Sequence, residues 1–172
     1  MKPESETRLK KIQQVSNILR AICKVGFAVV IGVFLAAVVA ILSGRGSASF
    51  ADDSVPLAPL SATGRLVLAA ATVLLLAVGL KGFYHLHRLF GNYGRGDILT
   101  GESAGQIRQL GITVLLWYVA NILWAVTAAS IEPTPFSIQF RSDALVTGTI
   151  IIVISWFMGM AAEMREESAL TI

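Results

Sequence analysis

Charged residues are missing from four long stretches of the chain, 25–44, 66–80, 109–131 and 144–162, and every Lys, Arg, Asp and Glu lies between or outside them. A helix needs about 20 apolar residues to cross the hydrocarbon core of a bilayer. Three of the stretches hold 19 to 23 residues and the second holds 15. Uncharged residues 61–64 extend the second stretch on one side. Gly82, Phe83 and Tyr84 extend it on the other, beyond Lys81, whose aliphatic stem lets its ammonium snorkel to the headgroups. The predicted spans are therefore 25–44, 62–84, 109–131 and 144–162. The first is read as a retained anchor and not as a signal peptide cut near Ser49-Phe50-Ala51, because its apolar core exceeds the roughly 7 to 15 residues of a signal sequence.

The segments between the spans carry their own patterns. In the N-terminal segment, 1–24, Leu9, Ile12, Val15, Leu19 and Ile22 recur at three and four residues among Arg8, Lys10 and Lys11. That spacing predicts a basic amphipathic helix lying on a membrane surface and running into the first span. The connection 43–65 is rich in Ser, Gly, Ala and Pro. In the third connection Phe136, Ile138 and Phe140 alternate with Ser137, Gln139 and Arg141, the period-two signature of a short strand. A lone strand is unstable, so this one is expected to pair with 48–55 or with a partner protein. The predicted fold is all-α and polytopic, with four transmembrane helices and short strand-like segments in the external loops.

Orientation follows from the basic residues. Eleven of the fourteen Lys and Arg fall in the N-terminal segment, the middle connection 85–108 and its borders, and the tail 163–172. Four crossings put those three segments on one side, and the positive-inside rule makes that side, with both termini, cytoplasmic. At 55% hydrophobic and 15% charged residues, against about 25% charged in soluble domains, the composition fits only a membrane class. The formal net charge of +3 then reflects cations beside the spans, which meet lipid headgroups, and does not argue for nucleic-acid binding. Cys23 is the single cysteine, so neither an intramolecular disulfide nor a cysteine metal cluster can form.

Residue-specific character gathers in the middle connection, HLHRLFGNYGRGDILTGESAGQIRQLG. Gly91, Gly94 and Gly96 are expected to break the helix and leave Asn92, Tyr93, Arg95 and Asp97 in a tight turn. Thr100 is the expected N-cap of the next helix, with Glu102 at its positive end. Asp97 with Arg95, and Glu102 with Arg108, are the expected ion pairs. The tail acids Glu163, Glu166 and Glu167, beside Arg165, are expected to dock on the connection's cations. Gly94 and Gly96 lack the preceding strand and third glycine of a phosphate-binding loop. His85 and His87, two apart on a helix, point about 200° apart and cannot share one ion unless the helix ends there, and two such histidines cannot make a haem site.

These residues carry a resemblance. The pattern Leu89-Phe90, Tyr93, Gly96-Asp97-Ile98, Thr100, Glu102-Ser103, Arg108 and Gly111, with the tail Ala162-Glu163-Met164-Arg165-Glu166-Glu167 and Leu170-Thr171-Ile172, resembles a bacterial four-helix inner-membrane family known as domain of unknown function 2975. Leu99, Ser103 and Ser168-Ala169 depart from the family pattern. The resemblance implies a four-helix inner-membrane protein, a cytoplasmic helix-turn-helix regulator as partner, and no defined catalytic residue.

Within the spans there is no ionisable group at mid-depth, which disfavours a proton-coupled carrier. Gly32 and Ala36, with Ala28 and Ala40, form a small-residue stripe on the first span. Asn121, with Ala125 and Ala129, forms another on the third. Both are expected helix–helix contacts, within one bundle or in a homodimer. The sequence thus predicts a non-enzymatic membrane protein without cofactor or metal, regulating or binding a cytoplasmic partner through 85–108 and the tail. The alternatives are a small transporter, pore or lipid-interacting protein, with Asn121, Trp117 and Trp124 lining a path, and an immunity or exclusion protein.

Overall fold

A computed structural model of the chain describes residues 3–45, 47–50, 53–97, 100–131 and 142–170. Helix α1 (Pro3–Ser43) leads into a two-stranded hairpin, β1 (Ser47–Phe50) and β2 (Asp53–Pro56), followed by α2 (Ala62–Arg95), α3 (Gly101–Ile131) and α4 (Ser142–Leu170). All four helices are long and apolar enough to cross a membrane. In lipid the backbone must satisfy its own hydrogen bonds, and a charge-free run can do so only as a continuous helix. The chain is an all-α, multi-pass membrane protein.

The helices outrun the spans. At about 1.5 Å per residue, the 41 residues of α1 reach about 60 Å, roughly twice the hydrocarbon thickness. The basic N-terminal segment therefore extends the first span without a break and is not a separate surface helix. Helix α2 likewise continues to Arg95, through Gly91 and Gly94.

The helices pack in chain order, α1 on α2, α2 on α3 and α3 on α4. Each pair is antiparallel and runs over a glycine notch. Gly26 faces the Phe83 ring, where a Cβ would lie 3.1 Å from Cε1, and Gly79 faces Trp117 at 3.2 Å from Cζ3. Between α3 and α4 the approach is closest: a Cβ on Gly111 would lie 2.9 Å from the Gly148 carbonyl oxygen. Lipid offers helices no hydrophobic drive to associate, so backbone proximity and dispersion contacts must supply it.

The apolar core sits toward the hairpin end, where Ile41, Leu68, Leu75, Ala120, Trp124 and Ala128 enclose Leu57 and Leu60 from the turn after β2. That turn closes through Leu60 N–H to the Leu57 carbonyl at 3.3 Å. Ser61 then caps α2, accepting the Gly64 N–H at 3.1 Å. Arg65 reaches back to the Ala58 carbonyl at 3.3 Å and lies directly over Gly44. Gly44 has φ +67°, so both its conformation and the guanidinium above it demand glycine. Segment 48–55 pairs with itself in the hairpin, Ser47 opposite Pro56 and Phe50 opposite Asp53. The alternating segment Phe136 to Arg141 lies outside the described residues.

Candidate functional site

The end of the molecule carrying the start of α1, the α2–α3 connection and the end of α4 is packed by polar side chains. Ser16, Asn92, Ser103 and Gln106 are buried there beside Cys23, Leu89 and Ala104. The connection is short. Helix α2 stops where Gly96 takes a left-handed conformation, φ +92°, and its N–H bonds back to the carbonyl of Tyr93 at 3.1 Å, as the Asp97 N–H does to that of Asn92 at 3.1 Å. Helix α3 starts under Thr100, whose Oγ1 accepts the Ser103 N–H at 3.2 Å. The Ser103 hydroxyl accepts from Thr100 Oγ1 at 3.2 Å and donates to the Asp97 carbonyl at 2.8 Å. One fully buried hydroxyl thus fastens the end of α2 to the start of α3. Ser103→Ala removes it and leaves the Asp97 carbonyl without that donor; a loss of about 1 kcal/mol in detergent unfolding is expected, with α2 and α3 still helical by circular dichroism.

Only Gly96 of the three expected helix breakers acts as one. Gly91 and Gly94 stay helical because they are where α1 approaches: a Cβ on Gly94 would lie 2.8 Å from Asn17 Oδ1, and one on Gly91 3.7 Å from Arg20 Cζ. Asn92, Tyr93 and Arg95 accordingly belong to the last turns of α2, and only Asp97 lies past the helix end.

The ion pairs differ from those expected. Glu102 pairs with Arg88 at 3.2 Å across the α2–α3 hairpin, not with Arg108. Arg88 also lies 5.9 Å from the centroid of the Tyr84 ring, one turn away. Arg95 donates to Asn92 Oδ1 at 2.7 Å and not to Asp97. Closeness in sequence suggests Arg108 for Glu102, whereas antiparallel α2 and α3 bring Arg88 opposite it. The salt bridge is half-exposed on both sides and worth little by itself, but it fixes the side-chain arrangement. Arg95, Asp97, Arg108, Glu163 and Arg165 are exposed. The Glu166 side chain lies outside the described residues.

His85 and His87 serve different neighbours, as their spacing requires. His85 Nδ1 lies 2.7 Å from Gln106 Oε1 on α3, and His87 Nε2 accepts from Arg20 Nε on α1 at 3.3 Å.

Of the expected helix contacts, Gly32 and Ala36 are exposed, and a Cβ on Gly32 would meet nothing within 4 Å. Their stripe therefore does not pack inside the chain. Asn121 donates to the Trp117 carbonyl of its own helix at 2.7 Å and does not bridge helices. The buried polar link between spans is one the sequence pattern did not single out. Trp124 Nε1 donates to Thr72 Oγ1 at 3.2 Å, and Thr72 passes its own hydrogen to the Leu68 carbonyl at 2.9 Å. Trp124 fills the core between α2 and α3. A tryptophan opposite a threonine 52 residues away shows no periodicity, so only the fold could pair them.

No curated protein and no solved structure matches the chain. A family profile described as "Protein of unknown function (DUF2975)" matches residues 48–172, which takes in all but the first residue of the hairpin, with α2, α3, α4 and the polar connection. The chain therefore belongs to the DUF2975 family.

Proposed function

We propose that this is a non-enzymatic protein of the cytoplasmic membrane that holds a soluble partner at its terminus-bearing end. That end faces the cytoplasm, by the distribution of Lys and Arg. The observation that supports the reading is the form of the α2–α3 connection. Two helices project past the apolar spans and are locked together by Ser103, Thr100 and the Gly96 turn, while Arg95 and Arg108 on them and Asp97 between them stay exposed. A rigid support presenting exposed charges suits recognition of another protein, since little ordering entropy is lost on binding. Tyr93 stands half-buried beside these charges, and the tail residues Glu163 and Arg165 widen the same face. The family resemblance makes a helix-turn-helix regulator the first partner to test.

A photo-cross-linking amino acid placed at Asp97 is expected to capture one soluble protein in cells. Charge reversal by Arg108→Glu with Arg95→Glu should reduce that capture at least tenfold without lowering the level of the membrane protein. Capture that is unchanged by the reversals, or spread over many abundant proteins, would sink the proposal.

A further inference from the structure

On the flank of the same end, where α1 crosses α2, two cations stand without a carboxylate partner among the described residues. Arg20 and Lys24 are one turn apart on α1, both exposed, and among the described residues neither is ion-paired. Lys24 is the last residue before the charge-free stretch 25–44, which sets this pair at the depth of the headgroups. The arginine is held in place. Its Nε donates to His87 Nε2 at 3.3 Å, and its guanidinium lies over Gly91, where a Cβ would come within 3.7 Å of Cζ and 3.9 Å of Nη2. With Nε used, the two terminal nitrogens remain as a fork, the geometry that matches two oxygens of a phosphate. Lys24, one turn further along the same face of α1, adds a second positive charge nearby.

We propose that Arg20, Lys24 and the notch at Gly91 form a binding site for the phosphodiester of an anionic phospholipid. The lipid source follows from depth: the acyl chains of a lipid held there would run along the exposed apolar side chains on the same face of α1, Phe27 and Leu35. A phosphate held by an arginine of one helix that is itself seated against glycine on the next reinforces the α1–α2 contact from outside.

The test uses the full chain in nanodiscs and counts lipid retained on extraction by native mass spectrometry. Discs contain phosphatidylglycerol and phosphatidylcholine in equal parts. The wild type is expected to keep phosphatidylglycerol in preference to phosphatidylcholine, and Arg20→Gln with Lys24→Gln should lower that preference about tenfold. Gly91→Leu, which keeps every charge but fills the seat of the guanidinium, should lower it severalfold. If that variant does not fold, Arg20→Lys replaces it, keeping the charge and losing the fork. The control pair Arg108→Gln with Arg165→Gln removes as much charge from the same end and should leave the preference intact. Equal losses from both double variants, or no loss from Gly91→Leu and Arg20→Lys, would overturn the site. So would inorganic phosphate, titrated into detergent-purified protein, binding as tightly as the lipid.

Discussion

Trp124→Ala is expected to be the most damaging single substitution in the spans, costing about 3–5 kcal/mol. The side chain is 4% exposed and lies among Leu68, Leu75, Ala120 and Ala128. Truncation would leave a void that the helices cannot readily close, because Trp117 against Gly79 and Ile131 against Gly64 already fill the space beside it. Trp124→Phe separates the two parts of this effect. It keeps most of the volume and removes the N–H donor to Thr72, which loses nothing essential because its own hydroxyl still reaches Leu68. Cross-helix hydrogen bonds in membranes average about 0.6 kcal/mol, so the phenylalanine variant should stay within about 1 kcal/mol of wild type. Unfolding by denaturing detergent in mixed micelles gives both numbers. Similar losses for the two variants would show that the hydrogen bond, and not the packing, holds α2 to α3.

Gly111→Leu is expected to detach α4. A Cβ there would lie 2.7 Å from Ile152 Cγ1, 2.9 Å from the Gly148 carbonyl oxygen and 3.1 Å from the Ile152 backbone nitrogen. Two of those three atoms are backbone and cannot rotate away, so the helices themselves must part. Overpacking of this kind costs about 1–3 kcal/mol. Since α4 packs chiefly on α3 among the described residues, the loss should be local. Gly148→Leu meets Leu115 first, at 2.7 Å from Cδ2, a side chain that can yield, so it should be the milder of the two. Engineered cysteines along the α3–α4 seam should cross-link readily in wild type and poorly in Gly111→Leu, while a pair along the α1–α2 seam is unaffected. Equal cross-linking at both seams in the variant would contradict the local reading.

The spans were legible in the sequence because the absence of charge is a direct consequence of lipid as solvent. Caps were legible too, since Thr100 and Gly96 act through local geometry. What the sequence misplaced depended on neighbours. Gly91 and Gly94 looked like breakers because glycine serves both turns and close packing, and only the presence of Arg20 and Asn17 on α1 decides between them. Glu102 was matched to the wrong arginine for the same reason: its partner is fixed by the antiparallel register of α2 and α3. Asn121 was expected to reach across an interface, yet an asparagine in a helix can always turn to the carbonyl four residues back. The exposed cluster at Arg95, Asp97 and Arg108 is visible in its composition, while the fully buried Ser103 that orders it shows in the sequence only as a position in a family pattern.

The order in which the helices touch bears on how the protein is made. Each of α2, α3 and α4 packs on the helix synthesised just before it. A helix leaving the insertion machinery therefore finds its docking surface already in the bilayer, and no earlier pair has to open to admit it. The contacts between successive helices form without waiting for the chain to be complete, which keeps assembly fast. A chain arrested after α3 should already hold Trp124 against Thr72, with the polar connection capped and locked before α4 is translated.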